Sequence, residues 1–131
     1  PAAISAKMAR PEYPAVAFAG DGGFAMTMSE LETAVRYKLD RLVVIVFNNN
    51  CYGTISRHQK REFPGRNVGT NLGKIRFADI AEALGARGYV VNSNEEFPVA
   101  FKLALDCEGP VVIDVAVSDK HPGPWVTAKI E

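Results

Sequence analysis

Apolar residues in this chain fall into short unbroken runs separated by stretches with helical spacing. Residues 14–19 (Pro-Ala-Val-Ala-Phe-Ala) form such a run, closed by Gly20-Asp21-Gly22-Gly23; a run of that length bounded by glycines predicts a strand buried on both faces. Thr27-Met28-Ser29-Glu30 has the form of a capping box, in which the Thr27 hydroxyl bonds the amide three residues on and Glu30 reaches back. Met28, Leu31, Val35 and Leu39 then recur on one helix face. Residues 42–47 (Leu-Val-Val-Ile-Val-Phe) are six apolar residues, four of them β-branched, and predict the strongest strand. It stops at Asn48-Asn49-Asn50.

Beyond the asparagines a short helix is expected around 53–61, then a polar, glycine-spaced loop over 64–73. Phe77, Ile80, Ala81 and Leu84 mark another helix, which Gly85 ends as its C-terminal cap. Tyr89-Val90-Val91 predicts a third strand. Ser93 and Glu96 can form a second capping box, and Pro98 is tolerated in a first helical turn. Phe97, Phe101, Ala104 and Leu105 supply that helix with an apolar face, and residues 111–117 a fourth strand.

Strand and helix therefore alternate, which predicts an α/β fold: a parallel sheet with helices on both faces, three layers α/β/α. No repeat or internal boundary interrupts residues 1–131. The opening Pro1-Ala2-Ala3-Ile4 reads as a helix already under way without an initiator Met, so the domain is expected to be N-terminally incomplete, a piece of a longer chain.

Composition narrows the function classes. The chain has 131 residues, 47% hydrophobic and 23% charged, with fifteen Lys and Arg balancing fifteen Asp and Glu. That balance gives no general electrostatic reason to bind nucleic acid or an acidic membrane, and no apolar run reaches the roughly 18 residues of a membrane helix. Cys51 and Cys107 have no metal or redox spacing, which favours free thiols in a reducing cytoplasm.

In a parallel α/β sheet, ligands sit at the carboxyl ends of the strands. Two strand ends here carry unusual polar chemistry, Gly20-Asp21-Gly22-Gly23 and Asn48-Asn49-Asn50, and they follow consecutive strands that can lie side by side. Taken singly, each reads as a turn. Taken together they fit a diphosphate site. The Gly22 and Gly23 amides can face phosphate oxygens, but Asp21 repels phosphate unless a cation lies between them. Mg²⁺ is the usual bridge, and an asparagine amide oxygen is a suitable neutral ligand for it. A rival reading takes Gly20-x-Gly22-x-x-Ala25 as a dinucleotide fingerprint. That reading needs an acidic residue at the end of the next strand, where Asn48 stands instead.

The segment from Gly20-Asp21-Gly22, through the 25 residues between Gly22 and Asn48, to Asn48-Asn49 resembles the diphosphate-binding domain of thiamine-diphosphate-dependent enzymes of the acetolactate synthase and pyruvate decarboxylase group. Glu30, Tyr52-Gly53 and the opening Pro1-Ala2-Ala3-Ile4 extend the resemblance over essentially the whole chain. It implies thiamine diphosphate and Mg²⁺ as cofactors, with Asp21, the side-chain oxygen of Asn49 and the backbone carbonyl of Cys51 as metal ligands. Gly20, Asp21, Gly22, Gly23, Asn48, Asn49, Cys51, Tyr52 and Gly53 would form the cofactor site, with Asn48 supporting the loop. The third asparagine, Asn50, leaves the ligand register open by one residue.

The resemblance further implies an enzyme that decarboxylates or carboligates a 2-oxo acid such as pyruvate, built as a homo-oligomer. The activating glutamate would come from a pyrimidine-binding domain outside this chain, and the residue that bends the cofactor would lie upstream of Pro1. The alternative is a non-catalytic cofactor-binding or assembly subunit. Arg57-His58-Gln59-Lys60-Arg61 reads as a solvated helix face, Phe97 and Phe101 as core, and His121-Pro122-Gly123-Pro124-Trp125 as an exit linker.

Overall fold

The computed structural model describes residues 1–118, so the segment from His121 to Trp125 lies outside the described residues. The elements run α1 (Ala2–Ala9), β1 (Ala15–Gly20), α2 (Asp21–Ala25), a 3₁₀ turn (Met28–Glu30), α3 (Leu31–Arg36), β2 (Leu42–Asn48), α4 (Gly53–Glu62), α5 (Phe77–Ala83), β3 (Arg87–Val91), α6 (Glu96–Asp106) and β4 (Val111–Ala116). The four strands form one parallel sheet in the order β1-β2-β4-β3. The expected α/β/α sandwich is therefore present.

Right-handed crossovers explain which helix covers which face. The chain advances across the sheet from β1 to β2 and from β2 to β3, then steps back to β4. Helices of the advancing connections share one face, where Phe24, Leu31, Ala34, Phe77 and Ala81 pack on Leu42, Val46 and Val112, with Ala3 and Ile4 of α1 beside them. The returning helix α6 takes the other face, setting Ala100 and Ala104 on Val43, Ile45, Val91, Val111 and Ile113. The Phe97 and Phe101 rings stack 5.8 Å apart against that second core, as their spacing predicts.

Several expectations are corrected. The strand at 15–20 is not buried on both faces. Its side chains alternate, and Val16 and Phe18 are exposed, with Phe18 stacked on the exposed Phe47. Among the described residues β1 is an edge strand, and α6 crosses the sheet too far away to cover it. Thr27 makes no side-chain cap; its carbonyl accepts the Glu30 amide in the 3₁₀ turn instead. The helix expected to carry Leu39 ends at Arg36. Lys38 adopts a left-handed φ of 50°, and the Leu39 amide bonds back to the Ala34 carbonyl, a Schellman-type closure that folds Leu39 onto the core. Gly85 ends α5 as expected, at φ 87°. In the second capping box the Ser93 hydroxyl accepts the Glu96 amide, but the Glu96 carboxylate reaches Asn92, one residue beyond the box position.

One glycine fixes the spacing of α5 against the sheet. A Cβ at Gly88 in β3 would fall on the backbone carbonyl of Ala78 in α5. Neither group can swing aside, so Gly88→Ala is expected to destabilise the full-length parent protein by about 1–3 kcal/mol, read as a lower midpoint in urea unfolding. An unchanged midpoint would mean that α5 is free to shift.

Among the described residues no helix is long and apolar enough to cross a membrane. Cys51 and Cys107 are free thiols.

Candidate diphosphate and metal site

Parallel pairing of β1 with β2 sets Gly20 beside Phe47, so the two polar strand ends emerge next to each other, as their order along the chain predicted. The turn expected at Gly20–Gly23 is instead the first turn of α2, which starts at Asp21 directly after the strand. Asp21 is thereby held at the sheet's carboxyl edge and is only 4% exposed.

Its carboxylate organises the second strand end. Asp21 Oδ2 accepts the backbone N–H groups of Asn49 and Cys51, each at 3.1 Å. The Cys51 N–H is shared with the side-chain oxygen of Asn49, also at 3.1 Å. Two of the expected metal ligands, a carboxylate oxygen and an amide oxygen, thus converge on a single N–H group. The third, the Cys51 carbonyl, accepts the Gly53 amide at 2.7 Å and keeps its second lone pair.

Glycine is required at position 22 by a close approach: a Cβ there would overlap the Tyr52 ring, whereas at Gly23 it would meet nothing within 4 Å. The Gly22 N–H donates to Asp21 Oδ1 at 2.8 Å. Gly20, Asp21, Gly22 and Gly23 from one strand end and Cys51, Tyr52 and Gly53 from the other line a cleft of about 160 Å³, which Thr54 and Ile55 of α4 complete. Asp21 and Cys51 thus bring two of the three expected oxygen ligands to the cleft lining, while Asn49 lies outside that lining and is joined to it through the shared Cys51 amide. That donor set suits an oxygen-seeking divalent cation better than zinc, which prefers nitrogen and sulfur.

Asn48 lies outside the cleft lining. Its side-chain N–H₂ donates to the Ile75 carbonyl at 3.1 Å and to Asp114 Oδ1 at 2.9 Å, and its oxygen accepts the Asn50 amide at 3.3 Å. Asn48 is thus tied to β4, to the segment before α5 and to the turn itself. The end of β2 also offers no acidic group for a ribose, which removes the support for a dinucleotide fingerprint. Arg57, His58, Lys60 and Arg61 sit on the exposed side of α4, where His58 contacts Arg61 and Arg61 pairs with Glu62. They form the solvated face that their sequence pattern suggests.

Sequence reading missed the ties that hold the turn from outside. The Tyr52 amide bonds the carbonyl of buried Thr70, and the Leu72 amide bonds the Asn50 carbonyl. These are backbone contacts with no side-chain signature. Asp114 was also missed, although a lone acid inside Val-Val-Ile-Asp-Val is a detectable signal, since a carboxylate enters a buried strand only when it has donors to meet.

Residues 1–115 match the family of thiamine pyrophosphate enzymes, C-terminal TPP-binding domain. The chain is 40% identical over 108 residues to the sulfoacetaldehyde acetyltransferase of Castellaniella defragrans, covering 82% of this chain and 18% of that protein. It is 37% identical over 117 residues to the acetolactate synthase of Bacillus subtilis, covering 89% and 20%. Among solved structures, the thiamine diphosphate-dependent 4-hydroxybenzoylformate decarboxylase of Rhodococcus jostii superposes with a TM-score of 0.84 at 33% identity, over 89% of this chain and 22% of that one. The chain spans about a fifth of the length of these relatives.

Proposed function

Because this chain belongs to the thiamine pyrophosphate enzymes, as their C-terminal TPP-binding domain, we propose that it holds the cofactor's diphosphate through Mg²⁺ in a parent enzyme that decarboxylates or carboligates a 2-oxo acid. The convergence of the Asp21 carboxylate and the Asn49 side-chain oxygen on the Cys51 amide carries this reading. Asp21, Asn49 and the Cys51 carbonyl would supply three of the oxygen ligands of an octahedral Mg²⁺, leaving positions for phosphate oxygens and water. Gly20, Gly22 and Gly23 keep side chains out of the cleft, and the Gly23 backbone is free to approach phosphate. Asn48 holds the turn, while Tyr52 and Gly53 close its far side.

When bound, thiamine diphosphate would supply a nucleophilic carbon for addition to a carbonyl and a cationic thiazolium ring into which the electrons released on cleavage of the adjoining bond are delocalised. The site residues named above anchor and orient the cofactor. The activating glutamate belongs to a pyrimidine-binding domain outside these residues, and the complete site forms between subunits of a homo-oligomer. These 131 residues are therefore expected to be inactive alone. The relatives named acetolactate synthase and 4-hydroxybenzoylformate decarboxylase support a 2-oxo acid such as pyruvate as substrate. The free thiols of Cys51 and Cys107 fit a cytoplasmic enzyme.

The direct test is to purify the full-length parent protein with Mg²⁺, denature it and identify the released small molecule by mass spectrometry. Thiamine diphosphate near one per site is expected. Release of NAD, or of nothing after reconstitution with thiamine diphosphate and Mg²⁺, would overturn the reading. Turnover of pyruvate then tests the substrate class.

A further inference from the structure

Asp114 is the one acidic side chain among the described residues that lies buried in a strand interior, 7% exposed in the middle of β4. It faces the α5 layer and divides its two oxygens between two tasks. Oδ2 accepts the Phe77 amide at 2.9 Å, satisfying a donor in the first turn of α5. Oδ1 accepts the Asn48 side-chain N–H₂ at 2.9 Å. The first bond is a structural cap. The second has no role in capping a helix.

Its effect follows from the chemistry of the asparagine amide. A carboxylate and the Ile75 carbonyl are both acceptors, so the Asn48 nitrogen must face them and its oxygen must face the other way. That oxygen receives the amide of Asn50, a non-glycine residue held in a left-handed conformation at φ 57°. Such a conformation costs free energy unless neighbouring contacts hold it. The turn built around it presents the Asn49 and Cys51 amides to Asp21 and sets the Asn49 oxygen on the same Cys51 amide.

We infer that Asp114 is a positioning residue for the metal site: acting through the Asn48 side chain, it fixes the Asn48–Cys51 turn that carries the Asn49 ligand. This rests on the reading of Asp21 and Asn49 as cation ligands. Asp114 itself touches neither metal nor cofactor.

A reciprocal exchange tests it in the full-length parent protein. Asp114→Asn keeps an oxygen for the Phe77 amide but sets its N–H₂ against that of Asn48, two donors facing each other. Asn48→Asp sets two carboxylates together. The double variant Asn48→Asp/Asp114→Asn restores donor to acceptor between these two side chains with the polarity reversed, and the position-48 carboxylate still accepts the Asn50 amide, although the bond to the Ile75 carbonyl is lost as it is in Asn48→Asp alone. Each single variant is expected to weaken Mg²⁺-dependent binding of thiamine diphosphate by about 10- to 100-fold, the range for groups that orient a metal ligand. It should also speed hydrogen exchange at the amides of residues 49–51 in protein free of cofactor. The double variant should recover both well beyond the Asn48→Asp variant, short of wild type because the Ile75 carbonyl still lacks its donor.

Additive losses in the double variant would overturn the inference, as would unchanged exchange and binding in Asp114→Asn. Thermal unfolding midpoints identify loss through general unfolding, which would lower all three variants without rescue and would also count against it. If wild type binds no thiamine diphosphate while the exchange rates still follow the swap, the turn is positioned as inferred and the cofactor reading is what fails.

Discussion

Replacing Asp21 by alanine in the full-length parent protein is expected to abolish Mg²⁺-dependent retention of thiamine diphosphate. The side chain has two functions that fail together. It is the single carboxylate in the proposed ligand set, and it accepts the backbone amides of Asn49 and Cys51. Removing it takes away the only formal negative charge in the proposed protein ligand set, leaves the Asn49 amide without its acceptor and leaves the Cys51 amide with the Asn49 oxygen alone. Loss of a group that merely orients a ligand costs about 10- to 100-fold in metal affinity, so loss of a ligand that also orients the turn should exceed the upper end. Equilibrium dialysis with thiamine diphosphate, with and without Mg²⁺, measures it. Undiminished retention would remove Asp21 from the metal site. Asp21→Asn separates the functions, because its amide oxygen can still accept one backbone amide while the charge is gone.

The largest stability effect is expected at Phe77. Its side chain is fully buried, and its ring meets that of Phe24 edge-on at 5.5 Å, joining α5 to α2 above the sheet. Phe77→Ala removes the ring and leaves a cavity that rigid strands below cannot collapse to fill, at a cost of about 3–5 kcal/mol. The backbone bond from its amide to Asp114 survives the substitution, so the loss isolates packing from capping. Urea unfolding of the full-length protein should show a lower midpoint, and a loss under about 1 kcal/mol would show that the site repacks. Since α2 begins with Asp21, cofactor affinity should fall in the same variant.

The parts that were legible in the sequence are those where local composition and final environment agree. β2 is apolar from Leu42 to Val46 because helices lie on both its faces there, and only Phe47, at its end, stands exposed. The pairing of Asp21 with the asparagines was legible because consecutive parallel strands end at the same edge. The misread elements are those whose environment is decided far away. Ala15, Ala17 and Ala19 face inward while Val16 and Phe18 face out, and no local pattern of small and large apolar residues tells a central strand from an edge. Whether β1 is covered depends on where α6 returns, some eighty residues later. The end of α3 depended on the left-handed turn at Lys38, a conformation that lysine seldom advertises. The Thr70 and Leu72 contacts run through backbone atoms and leave no residue-type trace. Asp114 was visible as an anomaly, but its partners, Asn48 and Phe77, are 66 and 37 positions away.

The register that sets Gly20 beside Phe47 also has an entropic meaning. A flexible loop recruited to wrap a cation must surrender roughly 1–2 kcal/mol of backbone freedom for each residue it orders. Here Asp21 leaves one strand and Asn49 follows the other, so sheet pairing and the Asp21 hydrogen bonds have already removed that freedom during folding. On the proposed reading, cation affinity becomes a dividend of fold stability, and anything that loosens the pairing of β1 and β2 would weaken the site without touching a ligand.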